Sequence, residues 1–240
     1  MSDHTFKIFC DFDGTIAVND IGNHFYRFFG DSIICDEAVE KWEKGIISSI
    51  ECLSTECSTI KDLTIEKAHK FIDEQKIDNT FLPFVEFCRE SDIEITVLSD
   101  GLDLYKERLF KNHGINVKYF SNSIDIKSDG TAEMIYPYID SECKKCANCK
   151  RNHVLNQSGD DEITIYIGDG LSDACPIEFC DYIFAKNQLL LHCEKNRISF
   201  SPFKNFDDVR EAIEKLLTKK RIKKRHQAEL KRREIYMMEP

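Results

Sequence analysis

Residues 7–15 read KIFCDFDGT, an apolar run that ends in two carboxylates and a glycine. Alternation along a β-strand places Asp11 and Asp13 on one side of the chain, and Gly14 allows the backbone to turn sharply after them. Two like charges this close need a cation. The stretch predicts a strand end that carries chemistry, although Asp-x-Asp-Gly alone also fits a solvated strand end with a glycine turn.

Two further segments have the same form. Residues 93–98, IEITVL, are rich in strand-forming residues and stop at Ser99-Asp100-Gly101. Residues 163–167, ITIYI, stop at GDGLSD, residues 168–173. Lys150 lies between these two segments and offers a positive charge. The sequence therefore predicts three strand ends, each followed by polar residues and glycine.

Together these motifs resemble those of the haloacid dehalogenase (HAD) superfamily of phosphotransferases: Asp-x-Asp-x-Thr, a strand-end Ser or Thr, a Lys, and Gly-Asp-x-x-x-Asp. All four occur in order over residues 7–173. The resemblance implies an α/β fold, a Rossmann-like HAD core with a parallel sheet. Within the superfamily the chain is most similar to the phosphoserine phosphatase-like branch. There the Cys-rich turn at residues 143–149, just before Lys150, resembles that of the methionine-salvage 2-hydroxy-3-keto-5-methylthiopentenyl-1-phosphate phosphatases and the phosphocholine/phosphoethanolamine phosphatases. Residues 184–193, FAKNQLLLHC, are similar to the former family as well.

The resemblance implies a magnesium site, because an anionic nucleophile attacks an anionic phosphate only when a metal offsets their repulsion. Asp11 would be both nucleophile and metal ligand. The backbone carbonyl of Asp13 and the carboxylate of Asp169 would complete the protein ligands, which suit the hard Mg²⁺ ion. Asp173 would orient ligands or water.

The remaining motif residues would move protons and hold phosphate. Asp13 would protonate the leaving oxygen and then deprotonate the attacking water. Ser99, followed by Asp100 and Gly101, would bind the phosphoryl oxygens, and Lys150 would neutralise charge. The resemblance thus implies Mg²⁺-dependent hydrolysis of a small phosphorylated metabolite through an aspartyl phosphate. The alternatives are a phosphomutase or phosphotransferase of the same fold, or a catalytically idle relative that binds a ligand or partner.

Several assignments have ordinary structural alternatives. Lys144 and Lys145 compete with Lys150, which is favoured because it opens a predicted helix at 151–156. Ser99 also fits a turn residue, and Asp173 a helix cap. Asp100 fits either a turn residue that caps a helix from Leu102 or a carboxylate that meets a cationic head group, as in the phosphocholine phosphatases. The methionine-salvage ester carries no amine, so the two resemblances disagree about the substrate.

Residues 21–90 have apolar residues at helical spacing and no convincing strand. Such an insert after the first catalytic turn resembles the helical (C1-type) cap of the phosphoserine phosphatase branch. We therefore predict a core domain at 1–18 and 88–217, a cap at 19–87 and a basic tail at 218–240. Asp20 and His24 are the nearest cap candidates for substrate contact, and the aromatic cluster at 25–29 is more typical of a cap core. Asp129-Gly130 predicts a hairpin.

The cysteines and the charge give weaker signals. Cys143, Cys146 and Cys149 with His153 fit a Cys₃His zinc site loosely, and they fit equally a Cys-rich turn inherited with the branch. The eleven scattered cysteines favour a reducing compartment. With no apolar stretch of about 18 residues and no signal-peptide features at the N-terminus, the sequence predicts a cytoplasmic protein.

The net charge of −10 is unevenly distributed, because residues 219–234 hold nine Lys or Arg and only two Glu. An acidic body makes duplex nucleic acid a poor substrate. The basic tail fits an RNA, membrane-surface or partner contact, but it fits better a solvated or frayed extension of a helix over 209–217. The sequence makes no prediction about the oligomeric state.

Overall fold

A computed structural model describes residues 4–238, apart from the side chains of Tyr236 and Met238. A strand and five helices come first: β1 (Phe6–Cys10), α1 (Ile21–Phe29), α2 (Ser32–Glu43), α3 (Ser49–Ser58), α4 (Ile65–Asp73) and α5 (Phe81–Glu90). There follow β2 (Glu94–Leu102), α6 (Asp103–His113), β3 (Lys118–Ile126) and β4 (Ala132–Ile135). The chain then forms α7 (Lys150–Gln157), β5 (Ile163–Gly168), 3-10 turns at Leu171–Asp173 and Pro176–Phe179, β6 (Tyr182–Ala185), α8 (Asn187–Asn196), β7 (Ser201–Pro202), α9 (Phe206–Leu217) and α10 (His226–Met238).

Contacts divide the chain into two compact units. The first contains the described residues of Met1–Ile16, Asp78–Leu98 and Lys150–Pro240, and the second contains Ala17–Ile77 and Ser99–Cys149. The predicted division into core, cap and tail follows function and remains a prediction. The contact division differs from it by grouping residues 99–149 with the first four helices.

The first unit is built on a parallel sheet in which β1 is central. β1 pairs in parallel with β2, with Cys10 opposite Val97, and with β5, with Cys10 opposite Ile167. β5 pairs in parallel with β6, and β6 with β7. Ile8, Phe9 and Cys10 are fully buried, which explains the apolar run at the end of β1, since both faces of a parallel sheet are covered by helices. The predicted α/β fold with a parallel sheet is confirmed.

The direction of the strands positions the chemistry. In an open parallel sheet the carboxyl ends of the strands share one edge, where ligands bind. Asp11 directly follows β1 and Asp169 directly follows β5. The backbone N–H of Asp11 donates to the carbonyl of Ile167 at 2.8 Å, which continues the pairing of the two strands to the first carboxylate.

The second unit contains α1–α4, α6 and the β3–β4 hairpin, and the helices lie where the spacing of residues 21–90 predicted them. Phe25 is fully buried and its ring packs on those of Phe29 and Phe71, with centroids 4.8 and 5.6 Å apart. The aromatic cluster is thus mainly packing, although Phe28 is 70% exposed. β3 and β4 pair antiparallel, so the predicted hairpin is confirmed.

The basic tail differs from its expected form. Helix α9 ends at Leu217, and α10 is a separate helix packed on the first unit. Arg232 is 8% exposed and donates to the Phe179 carbonyl at 2.7 Å and to the Asp181 carboxylate at 3.0 Å. The prediction of a solvated extension of α9 is therefore wrong, because buried ion pairing anchors this basic residue. No helix within residues 4–238 is both long and apolar enough to cross a membrane.

Candidate active site

Lys150 joins the ends of β1 and β5. It is the first residue of α7 and is only 3% exposed. Its Nζ lies 2.6 Å from Asp11 Oδ1, 2.8 Å from Asp173 Oδ1 and 3.0 Å from Ser172 Oγ. The competing residues Lys144 and Lys145 are exposed. The structure therefore brings Lys150 to the predicted nucleophile, as its position at a helix start suggested.

Asp173 is a fully buried carboxylate whose acceptor positions are filled. Oδ1 accepts from Lys150 Nζ and, at 2.7 Å, from the hydroxyl of Tyr166. Oδ2 accepts from the backbone N–H groups of Asp169 and Gly170, at 3.1 and 3.2 Å. Four hydrogen bonds are about the full capacity of a carboxylate. Asp173 consequently holds the lysine and the loop after β5 in place and has little capacity left for a metal.

Asp169 keeps more acceptor capacity. Its Oδ1 accepts from Thr15 Oγ1 at 2.9 Å and its Oδ2 from Asn187 Nδ2 at 3.2 Å. Gly14, in the turn that precedes Thr15, has φ +72°, and a Cβ placed there would lie 2.5 Å from Asp169 Oδ2. The turn therefore requires glycine both for its left-handed backbone and for the close approach of this carboxylate.

Three carboxylates converge here, because ligand oxygens of Asp11, Asp169 and Asp173 lie within 4.8 Å of one another. Burial, and then the charge of Asp173, raises the pKa of Asp11 well above its ordinary value, while Lys150 acts in the opposite direction. Burial and the charge of Asp173 also raise the pKa of Asp169. Such repulsion between buried carboxylates is relieved by a bound cation. The donor set suits a hard divalent ion held mainly by Asp11 and Asp169.

Asp13 is half-buried and is not one of the three converging carboxylates. The chain turns directly around it, since the carbonyl of Phe12 accepts from the N–H groups of Thr15 and Ile16 at 3.2 and 2.9 Å. The metal contribution predicted for Asp13 was its backbone carbonyl. That contribution and its proton-transfer role remain predictions.

Ser99, Asp100 and Gly101 belong to the second unit and are held within it. Ser99 Oγ accepts from the Gly101 N–H at 2.9 Å. Asp100 Oδ2 accepts from the hydroxyl of Ser49, in α3, at 3.2 Å. Helix α6 begins at Asp103 with Leu102 as its N-cap and no side-chain cap. Asp100 therefore does not occupy the N-cap position of this helix.

Among the described residues, neither the cap candidates Asp20 and His24 nor the cysteines belong to the group of converging carboxylates. Asp20 caps α1 by accepting from the Asn23 N–H at 2.7 Å, and His24 is exposed. Cys143 is exposed, Cys146 half-buried and Cys149 buried. Within residues 4–238, the ligand atoms that lie close enough together to hold a metal ion are those of Asp11, Asp169 and Asp173. The three thiols do not form such a group. His153 is buried in α7, in the first unit.

Sequence reasoning did not assign roles to Thr15, Tyr166 or Asn187. Thr15 had a signal, because it belongs to the Asp-x-Asp-x-Thr motif. Tyr166 stands in an apolar strand and reads as core, and Asn187 only begins a helix. Their roles arise from tertiary contacts with Asp173 and Asp169.

Comparisons with known proteins show to which family the chain belongs. Residues 6–222 match the family described as Putative Phosphatase. The chain is 30% identical over 218 residues to 2-hydroxy-3-keto-5-methylthiopentenyl-1-phosphate phosphatase of Bacillus mycoides (strain KBAB4), covering 88% of this chain and 97% of that one. The enzyme of the same name from Bacillus cereus (strain B4264) is 28% identical over 217 residues, with the same coverage of 88% and 97%.

Solved structures share the fold. A phospho-aspartyl intermediate analogue of phosphoserine phosphatase matches with a TM-score of 0.68 and 20% identity, over 89% of this chain and 99% of that one. Phosphoserine phosphatase from T. onnurineus, in complex with NDSB-201, matches with a TM-score of 0.67 and 15% identity, over 93% and 99%. The chain belongs to the Putative Phosphatase family and is a HAD-type phosphatase of the phosphoserine phosphatase-like branch.

Proposed function

We propose that the protein is a Mg²⁺-dependent phosphomonoesterase that hydrolyses a small phosphorylated metabolite through an aspartyl phosphate on Asp11. The observation that carries the proposal is the buried contact of Lys150 with both Asp11 and Asp173. The contact holds Asp11 at the edge of the sheet and favours its ionised form, which is the nucleophilic one.

Mg²⁺ held by Asp11, Asp169 and the Asp13 carbonyl would supply positive charge that offsets the repulsion between the nucleophile and the phosphoryl oxygens. The protein's own residues carry out the proposed steps. An oxygen of Asp11 forms a bond to phosphorus while the bond to the ester oxygen breaks, and Asp13 gives its proton to that oxygen. Asp13 then takes a proton from water, whose oxygen bonds to phosphorus as the bond to Asp11 breaks. Phosphate is released, Asp11 is again a carboxylate, and Asp13 again carries the proton that it will give to the next leaving oxygen.

Charge stabilisation is assigned to Ser99 and Lys150, which we propose bind phosphoryl oxygens. Ser99 lies two residues after Val97, the β2 residue that is in register with Cys10. We further propose that residues 19–87 act as a cap that selects the substrate and excludes water.

Two substrate classes are proposed. The named activity of the Bacillus relatives supports an amine-free ester, 2-hydroxy-3-keto-5-methylthiopentenyl-1-phosphate. The carboxylate of Asp100 beside the motif serine supports an ester that carries an ammonium group. A panel containing both kinds of ester separates these classes. Release of inorganic phosphate, rather than its return to a substrate hydroxyl, separates hydrolysis from a mutase reaction.

We also propose that the enzyme works in the cytoplasm. None of its eleven cysteines forms a disulfide, and most are buried. Burial raises the pKa of Cys88 and of Cys180 to about 12. Thiols of this kind are unreactive core residues, in keeping with a reducing compartment.

The test is phosphate release from the ester panel with Mg²⁺ and with excess EDTA, for the wild type and Asp11→Asn. We expect turnover that requires Mg²⁺ and is abolished by Asp11→Asn, because an amide is neither a nucleophile nor a charged ligand. Turnover retained in that variant would contradict the mechanism. Asn187→Leu is a useful comparison, because it removes a partner of Asp169 and should lower the affinity for Mg²⁺, so that turnover needs a higher Mg²⁺ concentration without being abolished.

A further inference from the structure

Helix α6 carries a lysine that the proposed mechanism does not use. Lys106 has no exposed surface, although lysine is almost never fully buried. Its Nζ donates to the hydroxyl of Ser99 at 3.1 Å, and it also lies 4.5 Å from the centroid of the Tyr105 ring. A cation over an aromatic ring is attracted to it. The ammonium is therefore held at Ser99 by its surroundings in the second unit.

The contacts of the Ser99 hydroxyl determine where its proton can go. A serine hydroxyl has two acceptor lone pairs and one proton. Its oxygen accepts from Lys106 Nζ at 3.1 Å and from the Gly101 N–H at 2.9 Å. Both lone pairs are then occupied, so the proton of Ser99 must point towards an acceptor. The hydroxyl is fixed as a hydrogen-bond donor, which is what a phosphoryl oxygen needs.

The charge of Lys106 adds to this effect. Hydrogen bonds from an ionised donor are about twice as strong as neutral ones. An ammonium that donates to a hydroxyl polarises its O–H bond, which makes the hydroxyl a better donor to an anionic oxygen. Donors oriented in advance in a site of low dielectric are the main source of charge stabilisation in enzymes.

The backbone of Ser99 is held separately. Asn148, which is fully buried, donates from Nδ2 to the carbonyl of Ser99 and to that of Phe120, each at 3.0 Å. The main chain at Ser99 therefore has its own support, and the contact of Lys106 acts on the hydroxyl. This separation allows the two effects to be tested independently.

We propose that Lys106 is a positioning residue that fixes the hydroxyl of Ser99 as a donor to the phosphoryl group and strengthens it by charge. The inference rests on the proposed function, in which Ser99 binds a phosphoryl oxygen. It assigns to this chain a second buried lysine in phosphate binding, acting through Ser99 in the way that Lys150 acts on Asp11.

A double-mutant cycle tests the inference. Lys106→Met, Ser99→Ala and the double variant are compared with the wild type by kcat/KM for p-nitrophenyl phosphate with Mg²⁺, and by the inhibition constant of inorganic phosphate. Lys106→Met should lower kcat/KM by about 10- to 100-fold, the effect expected for a hydrogen bond to a charged group. The inhibition constant of phosphate should rise within the same range. The double variant should lie within about twofold of Ser99→Ala, because Lys106 acts through the hydroxyl.

Two further variants control for folding and for the loss of a lysine. Lys111→Met removes an exposed lysine from the last turn of the same helix and should leave kcat/KM unchanged. Lys106→Gln keeps an N–H donor without the charge and should recover part of the activity lost in Lys106→Met. Should Lys106→Met fail to fold, the cycle is run with Lys106→Gln.

The outcomes distinguish this inference from the proposed function. If the double variant lost kcat/KM by the product of the two single losses, or if a folded Lys106→Met kept full activity, the role of Lys106 would be overturned. The proposed function would still stand. Turnover retained in Asp11→Asn would overturn the proposed function whatever the cycle shows. A non-additive cycle, with weaker phosphate inhibition and partial rescue by Gln, would support the inference.

Discussion

Replacing Lys150 with Met should leave buried negative charge without its partner. Lys150 Nζ lies 2.6 Å from Asp11 and 2.8 Å from Asp173, and the three side chains are 2%, 7% and 0% exposed. Removing one partner of a buried ion pair costs about 3–5 kcal/mol. For a protein of this length about 1 kcal/mol corresponds to roughly 2–4 °C in Tm. We therefore expect Lys150→Met to lower Tm by about 6–20 °C.

The effect should depend on pH with a definite sign. Without the ammonium, the pKa of Asp11, which burial already raises, rises further. Between the pKa of Asp11 in the unfolded chain and its higher pKa in the folded variant, the folded state binds more protons than the unfolded state. The free energy of unfolding of the variant therefore falls as pH increases through this range. The loss of stability of Lys150→Met relative to the wild type should therefore be larger at pH 8 than at pH 5.

The assay is thermal unfolding at both pH values in metal-free buffer. Lys127→Met is the matched control, because Lys127 Nζ also lies 2.6 Å from a carboxylate, Asp125, but these side chains are 42% and 52% exposed. An exposed pair contributes at most about 1 kcal/mol, so the control should lose no more than about 4 °C. Equal losses in the two variants, or a deficit that shrinks as pH rises, would refute the reasoning.

Three further predictions concern the turn, the C-terminal helix and the substrate. Gly14→Ala places a Cβ 2.5 Å from a carboxylate oxygen of Asp169 and should lower kcat/KM about 100-fold. The control is Gly114→Ala, at a glycine with φ +66° and open space around it, which should cost only about 1–2 kcal/mol of stability. Similar kinetics for both variants would contradict the account. In denaturant unfolding, Arg232→Met should lower the free energy of unfolding by about 3–5 kcal/mol, because it removes the buried partner of Asp181. Arg233→Met, at an exposed residue, should lower it by under about 0.5 kcal/mol. Equal unfolding midpoints would show that the ion pair of Arg232 contributes nothing. Asp100→Ala should lower kcat/KM about 10- to 100-fold for esters that carry an ammonium and leave amine-free esters nearly unchanged; a uniform loss would indicate a structural role.

The sequence predicts the ends of β1 and β5 well, because the signals there are local. The predicted end of the second strand is wrong, since β2 continues through Ser99, Asp100 and Gly101 to Leu102. Buried parallel strands are continuous apolar runs, and Asp11 and Asp169 stand directly after them. The position of Lys150 at a helix start likewise indicated that it would face the sheet edge. The parallel sheet, the helical segment and the hairpin therefore follow from patterns of a few residues.

Other features depend on contacts between different elements of the fold. Tyr166 reads as core until Asp173 is seen beside it. Arg232 stands in a run of basic residues that is typical of a solvated tail, and only the buried Asp181 makes it an anchor. Lys106 has no signal in the sequence around it. Its contact with Ser99 arises only when helix α6 packs beside the strand that precedes it. In each case tertiary pairing overrides the ordinary tendency of the residue type.

The covalent intermediate is the central claim, and rapid acid quench tests it most directly. Asp13→Asn, turning over a labelled phosphomonoester with Mg²⁺, should accumulate the intermediate, because loss of general base catalysis slows its hydrolysis by about 100-fold or more. Peptide mass spectrometry should then find the phosphoryl group on Asp11, and Asp11→Asn should carry none. A phosphoryl group on another residue, or steady phosphate release with no labelled protein at any quench time, would contradict the account.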